Sequence, residues 1–223
     1  MIEAPHQISL NQWDARYGQL VAEDCGQPVY GGRLSRHVKA GDLRLKRLRF
    51  DNSPAALDLW NFLLSENDRL RSAKANGKKL IGVMKDLGTV PVMAYAHPEL
   101  VAFYPDGAWW IPCVMEGSDG LLDIADRFGI DESFCPVRAM FGAFVDEKHF
   151  PIPDRIICSV GAVCDDFSAI AQRIQGIGQS IFWWEIPNRR KPDPKEPFAE
   201  LPGGFQAPVE QVEFVKGELN RVA

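Results

Sequence analysis

The sequence contains no Cys-x-x-Cys pair, no Gly-x-x-x-x-Gly-Lys-[Ser/Thr] loop and no Gly-x-Ser-x-Gly elbow. The first absence disfavours zinc ribbons, thioredoxin-type motifs and ferredoxin-type clusters. The second removes the usual phosphate loop of a nucleotide hydrolase. The third, with no cysteine beside an evident histidine base, leaves nucleophilic hydrolysis little support. The four histidines are too scattered to suggest a zinc or non-haem iron site by spacing. No apolar run approaches the roughly 20 residues that span a bilayer. The opening MIEAPHQISLNQW has no basic stretch followed by an apolar one, so no signal peptide is expected. The expected location is the cytoplasm, where thiols stay reduced, with no membrane partner. A net charge of −5 argues against nucleic acid as a partner. The one basic cluster, Arg44, Lys46, Arg47 and Arg49, is interleaved with Leu43, Leu45, Leu48 and Phe50 and reads as a solvated edge.

What is present is an ordinary globular balance, 46% hydrophobic and 25% charged, over 223 residues. Residues 1 to about 50 show no clean period and read as an irregular arm with one or two short elements. A helix then starts sharply. Asn52 or Ser53 can cap it, Pro54 suits its first position, and Leu57, Trp60, Leu64 and Leu70 form its stripe. Gly77 supplies the stop.

From residue 79 short strands and helices alternate. Strands are expected at Lys79–Met84, Leu100–Tyr104, Arg155–Ser159 and Ser180–Trp184, and Trp109–Met115 is another apolar run. Gly88–Pro98 reads as a loop or short helix, and Pro105-Asp106-Gly107 as a turn. Helices are expected in LLDIADRFG, in Pro136–Val145 and in Asp165–Gln175. This alternation predicts an α/β domain, a Rossmann-like, mostly parallel sheet with flanking helices and an irregular or helical N-terminal extension. The expected division is an arm and helix over residues 1–77, an α/β domain over 78–187, and a proline-rich linker with a C-terminal helix over 188–223. Asn188–Pro208 reads as linker or surface loop. The last helix carries Val212, Val215 and Leu219 on one face.

The five cysteines are Cys25, Cys113, Cys135, Cys158 and Cys164. Without a secretion signal, an odd count favours metal binding over a disulfide framework. Cys135 directly precedes Pro136 and a predicted helix. Cys164 follows a strand and precedes another helix. Both fall on loops at the carboxyl ends of strands, where open α/β sheets bind ligands. A helix start favours the thiolate and offers free N–H groups that can donate to cluster sulfurs. The competing reading is that each cysteine is a small buried hydrophobe. Cys158, beside Ile156 and Ile157, reads as core; Cys25 as incidental; Cys113 is open. Glu116 and Glu185 are candidate buried acids near such a site, although pairing with Arg189 or Arg190 is the preferred reading for Glu185. Asp165 reads as a helix-start residue facing backbone N–H groups. His97 reads as a turn residue, and His37 and His149 as surface residues.

The stretch CPVRAMFGAFVDEKHFPIPDRIICSVGAVCDDF resembles the signature of the 2-hydroxyacyl-CoA dehydratase and benzoyl-CoA reductase family, D-component type. The elements that carry the resemblance are Cys135, Arg138, Gly142–Ala143, Pro153–Asp154 and Cys164–Asp165. It covers about residues 75 to 187. GAVCDDFSAIA and FWWEIP are also similar to the family's double-cubane cluster branch, a set of ATP-driven low-potential reductases. The resemblance implies that Cys135 and Cys164 ligate an iron–sulfur cluster, [4Fe-4S] or double-cubane. Cys113 would be the candidate third ligand, with Arg138 and Asp165 beside the cofactor. In the family a further ligand comes from a second α/β domain, whose place is not filled after Cys164. Either the chain is a truncated piece, or a partner chain or a second copy of this one supplies the missing half, or Cys113 completes a local site.

The resemblance also implies an ATP-hydrolysing iron–sulfur activator as partner, which fits the missing phosphate loop, and an acyl-CoA or other small molecule as substrate. In the dehydratases an injected electron helps reduce the thioester to a ketyl radical that expels hydroxide. The chain would then be an oxygen-sensitive enzyme component, lyase or oxidoreductase. A family relic without a cluster, structural or regulatory, is the alternative.

Overall fold

The computed structural model describes residues 7–23, 49–51, 53–85, 88–108, 120–147, 149–161 and 164–223. Cys25, His37, the basic run up to Leu48, the apolar run Trp109–Met115 with Cys113, and Glu116 lie outside the described residues.

Four strands form the central sheet: β3 (Lys79–Met84), β4 (Leu100–Phe103), β5 (Arg155–Gly161) and β6 (Ile181–Ile186). Their order is β4-β3-β5-β6, and all three pairings are parallel. This is the expected α/β architecture. Parallel strands joined by crossovers are covered on both faces, so they carry apolar residues on both. Leu80, Met84, Val101, Phe103, Ile156, Cys158 and Ile181 project to one side. Ile81, Val83, Ala102, Ile157, Phe182 and Trp184 project to the other.

The first side is covered by four helices: α2 (Pro54–Ala75), α5 (Leu121–Arg127), α6 (Ala139–Asp146) and α7 (Asp165–Gly176). α2 begins as the sequence predicts. Ser53 accepts a hydrogen bond from the Ala56 N–H, and Pro54 occupies the first turn, where its missing N–H leaves nothing unpaired. α5 and α6 lie so close that a Cβ at Gly142 would overlap the Leu121 carbonyl, which explains the glycine in that helix. The expected helix over Pro136–Val145 is divided. Pro136–Arg138 forms a tight 3₁₀ turn, and α6 continues from it. The second side carries α3 (Thr89–Ala94) and α8 (Val209–Val222), with Leu219 and Val222 packed on the sheet. The turn expected at Pro105-Asp106-Gly107 is a single helical turn, α4 (Pro105–Ala108).

The expected irregular or helical extension proves helical, and one further element, in the expected linker, departs from the expectations. The arm contains a 14-residue helix, α1 (Leu10–Glu23). Gln12 reaches back to accept from the Ser9 N–H and hydroxyl, one half of a capping box. Trp13, on its buried face, is 1% exposed. Before α1, β1 (Gln7–Ile8) pairs antiparallel with β2 (Phe50–Asp51). Within the expected linker, β7 (Phe198–Leu201) and β8 (Phe205–Pro208) form an antiparallel hairpin. Gly203 and Gly204, with φ of 81° and 74°, make the reversal that a side chain would resist. Arg190 fastens the approach to this hairpin by pairing with Glu196, and Arg189 stacks 4.7 Å over Phe205.

Candidate functional site

In a sheet ordered β4-β3-β5-β6, the chain leaves β3 toward β4 on one side and reaches β5 on the other. The crevice of such a sheet opens at the carboxyl ends of β3 and β5, where the direction reverses. Lys85 follows β3 at this end. Cys164 follows β5 and caps α7 in an extended conformation (φ −129°, ψ 127°). The first turn of α7 holds Asp165 and Asp166, a charge sign that suits the positive end of the helix dipole.

Cys135 stands at the equivalent place on the Pro136–Arg138 turn, with φ −51° and ψ 144°. Its backbone N–H donates to Asp166 Oδ2 at 3.4 Å. The two cysteine-bearing helix starts, far apart in sequence, therefore adjoin, and α7 packs against both the 3₁₀ turn and α6. Cys135 is exposed and Cys164 half-buried. Asp166 is the connecting residue, and sequence reasoning singled out its neighbour Asp165, which is exposed. The doubled aspartate after Cys164 was the available signal.

The remaining cysteine of the described set behaves differently. Cys158 is fully buried in the core, and burial pushes its thiol up to about 12, with the nearby Lys85 ammonium pulling the other way. It is a neutral packing residue, as expected from its strand. Among the described residues no group of three or more histidine, cysteine, aspartate or glutamate side chains converges as a metal site. Two thiols at adjoining helix starts suit one side of an iron–sulfur cluster, which takes about four cysteine ligands.

Arg138 is 7% exposed and turns to Asp126 of α5, with Nη2 3.3 Å from Oδ1. Its Nε is buried without a hydrogen-bond partner among the described residues. Arg138 lines a surface cavity with Asp126, Asp131, Glu132 and Ser133, and no described thiol lines it. Glu185 does not meet the two arginines that follow it. Arg190 is drawn to Glu196 and Asp193, Arg189 donates to the Gln206 carbonyl, and the Glu185 N–H donates to Glu218. His97 is an exposed turn residue 3.8 Å from Glu99, whereas the His149 side chain is only 10% exposed and lies 3.9 Å from Asp146. The expectation of a surface His149 is thus corrected: the packing beside α6 encloses it.

The Pro153–Asp154 pair proves structural. Pro153 packs against Gly82, and the Asp154 carboxylate accepts from the Leu80 N–H at 2.9 Å and from Lys79 Nζ at 3.1 Å. These bonds hold its carboxyl below the usual range even though burial opposes them.

Two ionisable residues at this end of the sheet escaped sequence reasoning. Lys85 is 6% exposed and donates from Nζ to Ser168 Oγ of α7 at 3.0 Å. Asp106, in α4, has one carboxylate oxygen buried without a hydrogen-bond partner among the described residues, and burial pushes its carboxyl up to about 6. Each is a single charged residue inside an apolar context, a pattern that periodicity does not detect. An apolar cavity of about 710 Å³ lies elsewhere, between α3, the second sheet face and the end of α8.

The chain matches no protein-family model, and no curated protein matches it.

Proposed function

We propose that the chain is the iron–sulfur cluster-binding part of a low-potential reductase or dehydratase that acts on an acyl-CoA or another small molecule. The observation that carries this reading is the hydrogen bond from the Cys135 N–H to Asp166. It sets the loop of one cysteine against the helix opened by the other, at the sheet's ligand-binding end. Cys135 and Cys164 are the proposed cluster ligands, with N–H groups of α7 and of the 3₁₀ turn available to the cluster's sulfurs. A bound cluster would supply one-electron reduction at low potential. Cys113, a second subunit or a second copy of this chain completes the ligand set in this reading. An ATP-hydrolysing iron–sulfur activator is the proposed electron donor and the cytoplasm the proposed location. Arg138, held by Asp126, would keep the Cys135 turn in place, and Asp165 would add charge at the helix start.

The test is iron and acid-labile sulfide per chain after anaerobic reconstitution. About four irons, or about eight for a double cubane, are expected. Cys135→Ser and Cys164→Ser should each abolish retention, and Cys25→Ser and Cys158→Ser should not. Equal iron in all four variants, or iron near zero in folded wild-type protein, overturns the reading in favour of a structural α/β protein whose cysteines only pack.

A further inference from the structure

Lys85 is a buried cation. Its residue is 6% exposed, and among the described residues no carboxylate pairs with it. Taking an ammonium out of water without a counter-charge is expensive, and such a charge is normally paired or coordinated. The one partner of its Nζ among those residues is the neutral Ser168 hydroxyl. Cys158 lies close enough to feel the charge, yet its thiol stays protonated in any ordinary buffer and neutralises nothing.

The backbone directs this arrangement. Strand alternation would send residue 85 to the face of Val83, away from α7. A φ of 56°, in the left-handed region, breaks the alternation, and the side chain reaches Ser168 on the opposite side. The Lys85 carbonyl also accepts a hydrogen bond from the fully buried Ser159 hydroxyl, which fixes the turn from below. The ammonium therefore rests against the first turns of a 12-residue helix, beside N–H groups that have no partner within the helix. Ammonium, hydroxyl and helix start meet at the carboxyl ends of β3 and β5.

We infer that Lys85 and Ser168, with the start of α7, form a binding site for the oxyanion of a small ligand, a phosphate or a carboxylate, seated at the β3–β5 crevice. The counter-charge that no described residue supplies would be the ligand's. The site requires no iron, so its test is separate from that of the cluster.

The experiment uses the full chain, freed of iron with a chelator. Thermal unfolding is followed in sodium phosphate and in sodium acetate against sodium chloride of equal ionic strength. Wild-type Tm should rise by about 2–5 °C in millimolar oxyanion. A rise with phosphate assigns a phosphorylated ligand; a rise with acetate alone assigns a carboxylate. Lys85→Met should unfold at a higher temperature than wild type in chloride, because a buried charge is gone, and should lose the oxyanion shift. Lys85→Arg should keep the shift, and Ser168→Ala should reduce it. Wild-type Tm unmoved by both oxyanions, or a full shift retained in Lys85→Met, overturns the inference.

Discussion

The two faces of the central sheet are covered unequally. On one, Phe103, Phe144 and Phe150 interlock with ring centroids 5.5 and 5.1 Å apart, beneath helices that leave these rings at most 3% exposed. On the other, the cover among the described residues is the six-residue α3 and the tail of α8, and a cavity of about 710 Å³ reaches the strand residues Ile81, Ile157 and Phe182. Both faces are apolar because a parallel sheet is covered on both, so the difference among the described residues lies in the helices and not in the sheet. The more closely packed face is the one whose helices also carry Cys135 and Cys164 at their starts. A rigid, close-packed support beneath a site holds its side chains in fixed positions.

The largest expected effect is at the sealed face. Phe144→Ala should cost about 4 kcal/mol in urea-induced unfolding, because its neighbours cannot collapse into the space left. The same face should also tolerate charge poorly. The buried Asp106 carboxyl is pushed up to about 6, so the folded state holds its proton more tightly than the unfolded chain does. Between about pH 4 and pH 6 the unfolded state then binds fewer protons, and stability falls as pH rises. Asp106→Asn should flatten that slope and recover about 2 kcal/mol at neutral pH relative to the wild-type trend. A pH profile of unfolding free energy unchanged by the substitution would dissociate Asp106 from the sealed core. The smallest effect belongs to the open face. Val90, 1% exposed but lining the cavity, should cost about 1.5 kcal/mol on truncation to alanine. If Val90→Ala proves as damaging as Phe144→Ala, the contrast between the faces fails.

Much of the sheet was legible because buried strands and capped helices announce themselves locally. KLIGVM reads as a strand in any context, and Ser53–Pro54 begins a helix with two neighbouring residues. Cys135 and Cys164 could be placed at helix starts for the same reason. The exposed side of α1 blurred its period, although Ser9 and Gln12 carried a capping signal. Proline and charge around residues 188–197 masked a hairpin whose turn, Pro202-Gly203-Gly204, was visible. The connections between elements were not legible at all. That Asp166 meets Cys135, that Asp126 takes Arg138, and that Lys85 crosses to Ser168 depend on how helices settle on the sheet. No spacing rule within one segment encodes them.

The Asp154 carboxylate has a consequence for time as well as for position. It closes on Leu80, 74 residues earlier, where the first strand of the sheet meets its second neighbour. Pairings that distant raise the contact order of a chain and slow its folding, since the loop must be closed before the contact gives any return. A slip of one residue there would exchange the two faces of β5. Asp154 thus acts as the index mark of the sheet: its bond to Leu80 fixes one register at the central pairing, across 74 residues of chain.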